Sequence, residues 1–155
     1  MIRAIAAIDN TRGLATDDGI PWDLPSDKAY FRDKTNGGVV LMGYATYQEF
    51  DEPLPNRRNL VATSSTEDLR PGFEKIPDAR KFLEDTKDDI WVMGGAGTYA
   101  SVFDLVEELY ITQLDGDWHC TKRFPEFAEK FDLTASSAPQ HENDINFKYQ
   151  VWRRK

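Results

Sequence analysis

The residues best suited to chemistry lie in Gly19-Ile20-Pro21-Trp22-Asp23-Leu24-Pro25-Ser26-Asp27. Two prolines fix their own φ and push the residue before each toward extended backbone. The chain therefore approaches the next helix stiffly, with Trp22 beside it. Asp27 falls in the first helical turn, and Phe31 lies one turn on, on the same face. A carboxylate one turn from an aromatic ring suits a flat heteroaromatic ligand: the ring packs on Phe31 while Asp27 accepts paired N–H donors from one edge. Taken alone, Asp27 would merely complement the helix dipole; the rigid Pro-Trp-Asp-Leu-Pro run shifts the weight to the ligand.

A second chemistry is anion capture. Gly43-Tyr44-Ala45-Thr46 and Gly94-Gly95-Ala96-Gly97-Thr98 each follow an apolar run. Free backbone N–H groups at a helix start attract phosphate, and glycine lets the backbone come close to it. A Gly-Gly-x-Gly turn by itself is a weak sign, often no more than a tight strand-to-helix turn.

Buried strands must carry these groups. Ile2–Ile8, Val39–Met42, Leu60–Ala62, Ile90–Met93 and Leu109–Leu114 are almost wholly apolar, as strands covered on both faces of a parallel sheet are. Helical spacing lies between them: Ala79, Phe82, Leu83 and Thr86 after Pro77, then Tyr99, Phe103 and Val106 after the glycine cluster. Pro25 starts a helix that Gly37-Gly38 closes. Phe147, Tyr149 and Val151 alternate with Lys148, Gln150 and Trp152, the pattern of a more exposed antiparallel strand. The expected fold is α/β: a central, mostly parallel eight-stranded sheet with an antiparallel C-terminal strand, flanked by about four helices.

With 155 residues and roughly 150 per domain, residues 1–155 read as a single domain, with no repeat or linker. The charge of 19 basic against 27 acidic residues, net −8, argues against nucleic acid as a partner. It also means that an anionic ligand must be held by local groups. Mean hydropathy is −0.60 and no long apolar run exists, so no membrane helix is expected. The stretch Ala4 to Ile8 stops at Asp9, too short for a signal-peptide core. The lone Cys120 cannot form an internal bridge, which points to a reducing, cytoplasmic setting. His119 and His141 lack partners at metal-ligand spacing, so no metal site is expected. Asp17-Asp18 reads as a solvated turn, and Arg153-Arg154-Lys155 as a frayed strand end.

The ordered set of motifs resembles the dihydrofolate reductase family. It comprises Ile5-Ala6-Ala7, a loop from Asp9 to Leu24, and Pro21-Trp22-Asp23-Leu24-Pro25-Ser26-Asp27. Val40-Leu41-Met42-Gly43 with Thr46 follows, then Pro53-Leu54-Pro55-Asn56-Arg57-Arg58-Asn59. Met93-Gly94-Gly95-Ala96-Gly97 with Tyr99, Leu109-Tyr110-Ile111-Thr112 and Phe124-Pro125 complete it. The match spans nearly the whole chain.

The resemblance implies reduction of 7,8-dihydrofolate to tetrahydrofolate, in one-carbon metabolism, with hydride from NADPH to C6 and protonation at N5. Asp27 would hold the pterin amide and 2-amino groups, with Thr112 as a further partner. Its pKa should rise in an apolar pocket. Whether Asp27 or a water near Trp22 delivers the proton stays open. Ile5, Ala6, Ile20, Phe31, Phe50 and Leu54 would wall the substrate, and Arg57 would pair with the α-carboxylate of the glutamate tail. Ala7, Leu14, Ala15, Met93 and Tyr99 would lie toward the nicotinamide. Gly43, Tyr44, Ala45 and Thr46, with Gly94, Gly95, Ala96, Gly97 and Thr98, would take the phosphates. Tyr44 and Thr63-Ser64-Ser65, with Lys75, would meet the adenosine 2'-phosphate. The family also implies a cis Gly94–Gly95 peptide and a monomer.

Departures concentrate at the cofactor. Tyr44 and Gly97 stand where family members often carry basic residues, which implies weaker NADPH binding and some use of NADH. Cys120-Thr121 replaces a Gly-Asp pair that supports the mobile loop, which puts loop closure in doubt. Glu52 stands where a basic side chain often attracts the substrate tail. Two other readings stay in view. One is a same-fold reductase acting on a tail-less pterin or pyrimidine, against which Arg57 argues. The other is a pteridine- or nucleotide-binding protein without turnover, against which the set Trp22, Asp27, Phe31 and Thr112 argues.

Overall fold

A computed structural model describes residues 1–155. In chain order the elements are β1 (Ile2–Ile8), β2 (Gly13–Ala15), α1 (Pro25–Thr35), β3 (Val39–Gly43), α2 (Tyr44–Tyr47), β4 (Arg58–Ala62), β5 (Phe73–Ile76) and α3 (Ala79–Asp85). Then come β6 (Ile90–Val92), α4 (Ala96–Val102), β7 (Glu108–Leu114), β8 (Lys122–Arg123), β9 (Phe131–Ser136), β10 (Gln140–Glu142) and β11 (Ile145–Arg154).

The main sheet runs β10-β11-β7-β1-β6-β3-β4-β5. Strand β11 is antiparallel to β7, and the pairs from β7 to β5 are parallel. The sheet thus has eight positions along this path. A ninth strand, β9, shares the outer one: β10 pairs with Ile145–Phe147 of β11, and β9 with Gln150–Arg154. The five apolar runs became β1, β3, β4, β6 and β7. Their side chains are buried because helices cover both faces of the parallel region, which removes any polar alternation.

Each helix has a local cause. Pro25 supplies the preset φ of a first helical turn for α1. The Asp78 side chain accepts from the Lys81 N–H and caps α3. Helix α4 ends at Val102, and Phe103–Leu105 tightens into a 3-10 turn, so the periodic run to Val106 is not one helix. The C-terminus is not frayed either. Arg154 Nε donates to Val106 O at 2.8 Å, its Nη2 donates to Phe103 O at 2.6 Å, and the guanidinium lies 4.5 Å from the Phe131 ring. Phe103 O also accepts from Val106 N at 3.1 Å within the short turn, so the cation adds to that bond and satisfies Val106 O, which the turn leaves open.

Candidate functional site

A cleft of about 890 Å³ opens over β1, α1 and β7 on one side and the ends of β3 and β6 on the other. At its base the Thr112 hydroxyl donates to Asp27 Oδ1 at 2.6 Å. Thr112 pairs with Ala7 across β7 and β1, so the sheet register sets its place opposite the first turn of α1. Burial pushes the Asp27 carboxyl above the usual carboxylate range; the Thr112 bond opposes that shift, and the charge of Glu142 adds to it. Trp22, Ile5, Ala6, Ile20, Phe31, Phe50 and Leu54 line the same cleft.

Two walls are pinned from outside. Asn59, buried on β4, exchanges bonds of 3.0 Å with the Leu54 N–H and carbonyl, which fixes the loop bearing Leu54. Arg70 donates to the carbonyls of Tyr47 and Phe50 and lies 4.1 Å over the Tyr47 ring, which fixes the loop bearing Phe50.

The two glycine turns meet at the opposite end. Gly43 N–H donates to Gly94 O at 2.8 Å, and the Gly94–Gly95 peptide is cis. A Cβ on Gly43 would stand 2.4 Å from Thr98 Oγ1, so no larger residue fits without moving Thr98. Tyr44, Ala45, Thr46, Met93, Gly95, Ala96, Gly97, Thr98 and Tyr99 line this end, and Ala7, Leu14 and Ala15 the middle. The Tyr99 hydroxyl donates to Ile5 O at 2.6 Å and joins the two ends.

A loop between β1 and α1 roofs the cleft, with Ile20 65% exposed at its tip. Asp9 anchors its base. One carboxylate oxygen accepts from Thr11 N, Thr11 Oγ1 and Gly13 N at 2.8 Å each, and the other from Trp118 N at 3.0 Å. Burial opposes ionisation of Asp9, but these bonds outweigh it and hold the carboxyl below its ordinary value. The Cys120-Thr121 segment is tied to the loop with the hydroxyl on its own side and the carboxylate on the loop. Thr121 Oγ1 donates to Asp17 Oδ1 at 2.9 Å, and Thr121 N–H to Ala15 O at 3.0 Å. Asp17 and Asp18 form the exposed turn expected of them, and from it Asp17 also fastens the loop.

Arg57 is not part of the cleft wall. Its Nε donates to Thr35 Oγ1 at 2.9 Å, Nη1 to Pro55 O at 2.7 Å and Nη2 to Arg32 O at 2.9 Å. A guanidinium has five N–H groups, so one remains on each terminal nitrogen, the pair a carboxylate takes. Burial, then the charge of neighbouring Arg32, lowers the Arg57 pKa. Thr63, Ser64 and Ser65 also lie outside the cleft wall, and Lys75 Nζ is bonded to Glu67 O.

The profile of the family described as dihydrofolate reductase matches residues 1–154. The chain belongs to the dihydrofolate reductase family. The dihydrofolate reductase of Bacillus subtilis (strain 168) is 30% identical over 160 residues, which cover 100% of this chain and 95% of that protein. The type 3 dihydrofolate reductase of Salmonella typhimurium is 32% identical over 129 residues, 82% of this chain and 80% of that one. In fold, the chain matches the dihydrofolate reductase from Enterococcus faecalis complexed with NADP(H) and RAB-propyl, with a TM-score of 0.88 and 23% identity over 99% of this chain and 96% of that one.

Several residues that line the cleft lie outside the motifs. Tyr30 and Arg32 line it from α1, Glu49 from the turn after α2, and Lys122 from β8. Arg32 was findable: it lies four residues after Lys28 and one after Phe31, on the helix that carries Asp27. Lys122, which the sequence offers as a compensating cation outside the two glycine turns, reaches the cleft through the β2–β8 pairing.

Proposed function

We propose that this chain reduces 7,8-dihydrofolate to tetrahydrofolate, with Asp27 gripping the pterin edge and promoting protonation at N5. The observation that carries the reading is a half-buried carboxylate, bonded by Thr112, at the floor of a cleft whose far end is two joined glycine turns. NADPH, when bound, supplies the hydride. The residues present fit it: Gly95 and Gly97 leave the second turn open to a phosphate, and Thr46 and Thr98 bring hydroxyls there.

Asp27 accepts the pterin N–H groups, and its second oxygen is free for them because Thr112 engages only Oδ1. Phe31 offers a ring face from the same helix, and Ile5, Phe50 and Leu54 exclude water from the rest. Ile20 and Trp22 close the roof. The raised pKa of Asp27 keeps a proton within reach nearer neutrality than an ordinary aspartate would.

Arg57 takes the α-carboxylate of the tail through its two free N–H groups. Arg57→Lys is expected to raise KM for dihydrofolate about tenfold or more, with a smaller change in kcat, because the planar fork is lost. With a substrate lacking the glutamate, parent and variant should coincide; an equal loss on both substrates would contradict the role.

The test of the function is a spectrophotometric assay with dihydrofolate and each nicotinamide cofactor. Turnover with dihydrofolate supports the reading, and tight binding without oxidation of either cofactor contradicts it. On the phosphate side, Tyr44, Ala45 and Gly97 bring no cation, and Glu67 and Asp68 stand exposed near Lys75. Each charge-assisted phosphate bond contributes about 1.5–3 kcal/mol. The NADPH-to-NADH affinity ratio is therefore expected to stay within about 10–100-fold. A measured ratio of about 10⁴ or more would show that Lys122, or another cation, supplies what is missing.

The enzyme is read as one domain acting as a monomer in the cytoplasm, without nucleic acid as a partner. The continuous sheet, the buried free thiol of Cys120 and the net charge of −8 support this.

A further inference from the structure

Helix α1 has no side-chain cap of its own. Leu24 stands at the N-cap position and Pro25 has no N–H, while the N–H groups of Asp27 and Lys28 turn back to Leu24 O at 3.0 and 3.2 Å. The Ser26 N–H is left over. It donates to Glu142 Oε1 at 3.0 Å, and the Ser26 hydroxyl donates to Glu142 Oε2 at 2.5 Å. The partner comes from β10, 116 residues away.

The hairpin that presents Glu142 is rigid. Glu142 faces Ile145 across a two-residue turn, Asn143-Asp144, with φ of 50° and 62°. Left-handed backbone at both positions matches the twist of a hairpin, and Asn and Asp tolerate it. From the same turn Asn143 Nδ2 donates to Asp23 O at 3.0 Å. Leu24 is buried in a cluster with Leu114, Ile145 and Phe147. Residues 23 to 26 are thus held at three points by the β10–β11 hairpin, and Asp27 is the next residue.

We propose that Glu142 is a positioning residue for the reaction: a cap supplied from across the sheet that fixes the first turn of α1, and with it the direction of the Asp27 carboxylate toward Thr112. This rests on the reading of Asp27 given above. The titratable groups around Asp27 are Tyr30 on α1, Tyr99 on α4, Tyr149 on β11 and Glu142 on β10. Lys28 leans to Asp23 at 3.9 Å, and Arg32 and Glu49 line the outer cleft. Around Glu142 stand Ser26 and Tyr149, with Asp144 in the turn; His141 points to the opposite face of β10, where its ring meets Asn146 at 2.7 Å. The negative charge of Glu142 also disfavours ionisation of Asp27, so the cap acts on both direction and proton affinity.

The test compares Glu142→Ala and Glu142→Gln in the full chain. Gln keeps an acceptor for the Ser26 N–H and a donor for its hydroxyl, but loses the charge. Amide exchange over residues 26–28 is expected to quicken about fivefold or more in the Ala variant, the equilibrium equivalent of one lost cap, and to stay near the parent rate in the Gln variant. Carbon NMR of the Asp27 carboxyl should titrate at lower pH in the Gln variant than in the parent. With NADPH and dihydrofolate, kcat/KM should fall about five- to tenfold in the Ala variant and recover largely in the Gln variant, with NADPH affinity unchanged in both. An Ala variant that folds with parental exchange, carboxyl titration and kcat/KM would overturn the proposal. So would an equal loss of NADPH affinity, which marks general damage. If the parent fails to turn over dihydrofolate, the reading of Asp27 falls, while the exchange and titration results still decide whether Glu142 caps the helix.

Discussion

Asp27→Asn is expected to lower turnover of dihydrofolate at pH 7 by about 10²–10³-fold, the range of a positioned acid–base group. The amide can still accept from Thr112, but it carries no proton to promote chemistry at N5 and offers an N–H where the pterin also presents N–H. The loss should shrink as pH falls, because substrate protonated by solvent no longer needs the acid. Stability moves the other way. Asp27 has its folded-state pKa raised above the unfolded value, so the stability linked to its proton is full below the unfolded pKa and is lost as pH rises through the folded one. At pH 7 the parent bears that ionisation cost and the amide variant does not. A thermal melt should therefore show the variant at least as stable as the parent. Equal kcat for both across the pH range would remove Asp27 from the mechanism.

Phe124→Ala is expected to cost about 3–5 kcal/mol of stability, the usual price of emptying a phenylalanine site in a core. In a chain of this size that lowers Tm by about 10–15 °C. Phe124 is fully buried, with ring centroids 4.9 Å from Tyr99, 5.6 Å from Phe103 and 5.8 Å from Phe127. Its backbone also holds Arg12: its N–H donates to Arg12 O at 2.8 Å, and its carbonyl accepts from the Arg12 side chain. The damage should therefore reach the site by two routes. Tyr99 loses the ring that holds its hydroxyl on Ile5 O, and the loop base at Arg12 loosens. Cofactor affinity should drop with stability in denaturant titrations and binding assays. A loss below about 1 kcal/mol would show that the pocket collapses to fill the space.

The strands carrying Asp27's partners were legible because each is buried on both faces and so reads as an unbroken apolar run. Strands β2, β5, β8 and β10 were not. They are short, lie at edges or in the small second sheet, and are defined by backbone pairing rather than by an apolar period. The cleft floor was legible for a related reason. The Pro-Trp-Asp-Leu-Pro run fixes local backbone, and Asp27 and Phe31 follow from helical spacing. What escaped is what long-range folding assembles. Glu142 meets Ser26 only after β10 folds back, Asp17 meets Thr121 across the loop, and Arg154 reaches the carbonyls beyond α4 from the last strand. A charged residue at a chain end or in a turn looks solvated in sequence, and only the fold shows which open backbone group it satisfies. Arg57 shows the converse. Its motif is intact, yet three of its five N–H groups already serve Thr35, Pro55 and Arg32, which leaves it two for a ligand.

The central claim is that the Asp27 carboxylate holds the pterin edge while Thr112 steadies it. A crystal structure of the chain with dihydrofolate and NADP⁺ tests it most directly. The account predicts the pterin ring on Phe31, both Asp27 oxygens within about 3 Å of its amide and 2-amino nitrogens, and the Thr112 bond retained. A pterin bound with its N–H edge elsewhere in the cleft, and Asp27 bonded to Thr112 alone, would contradict it.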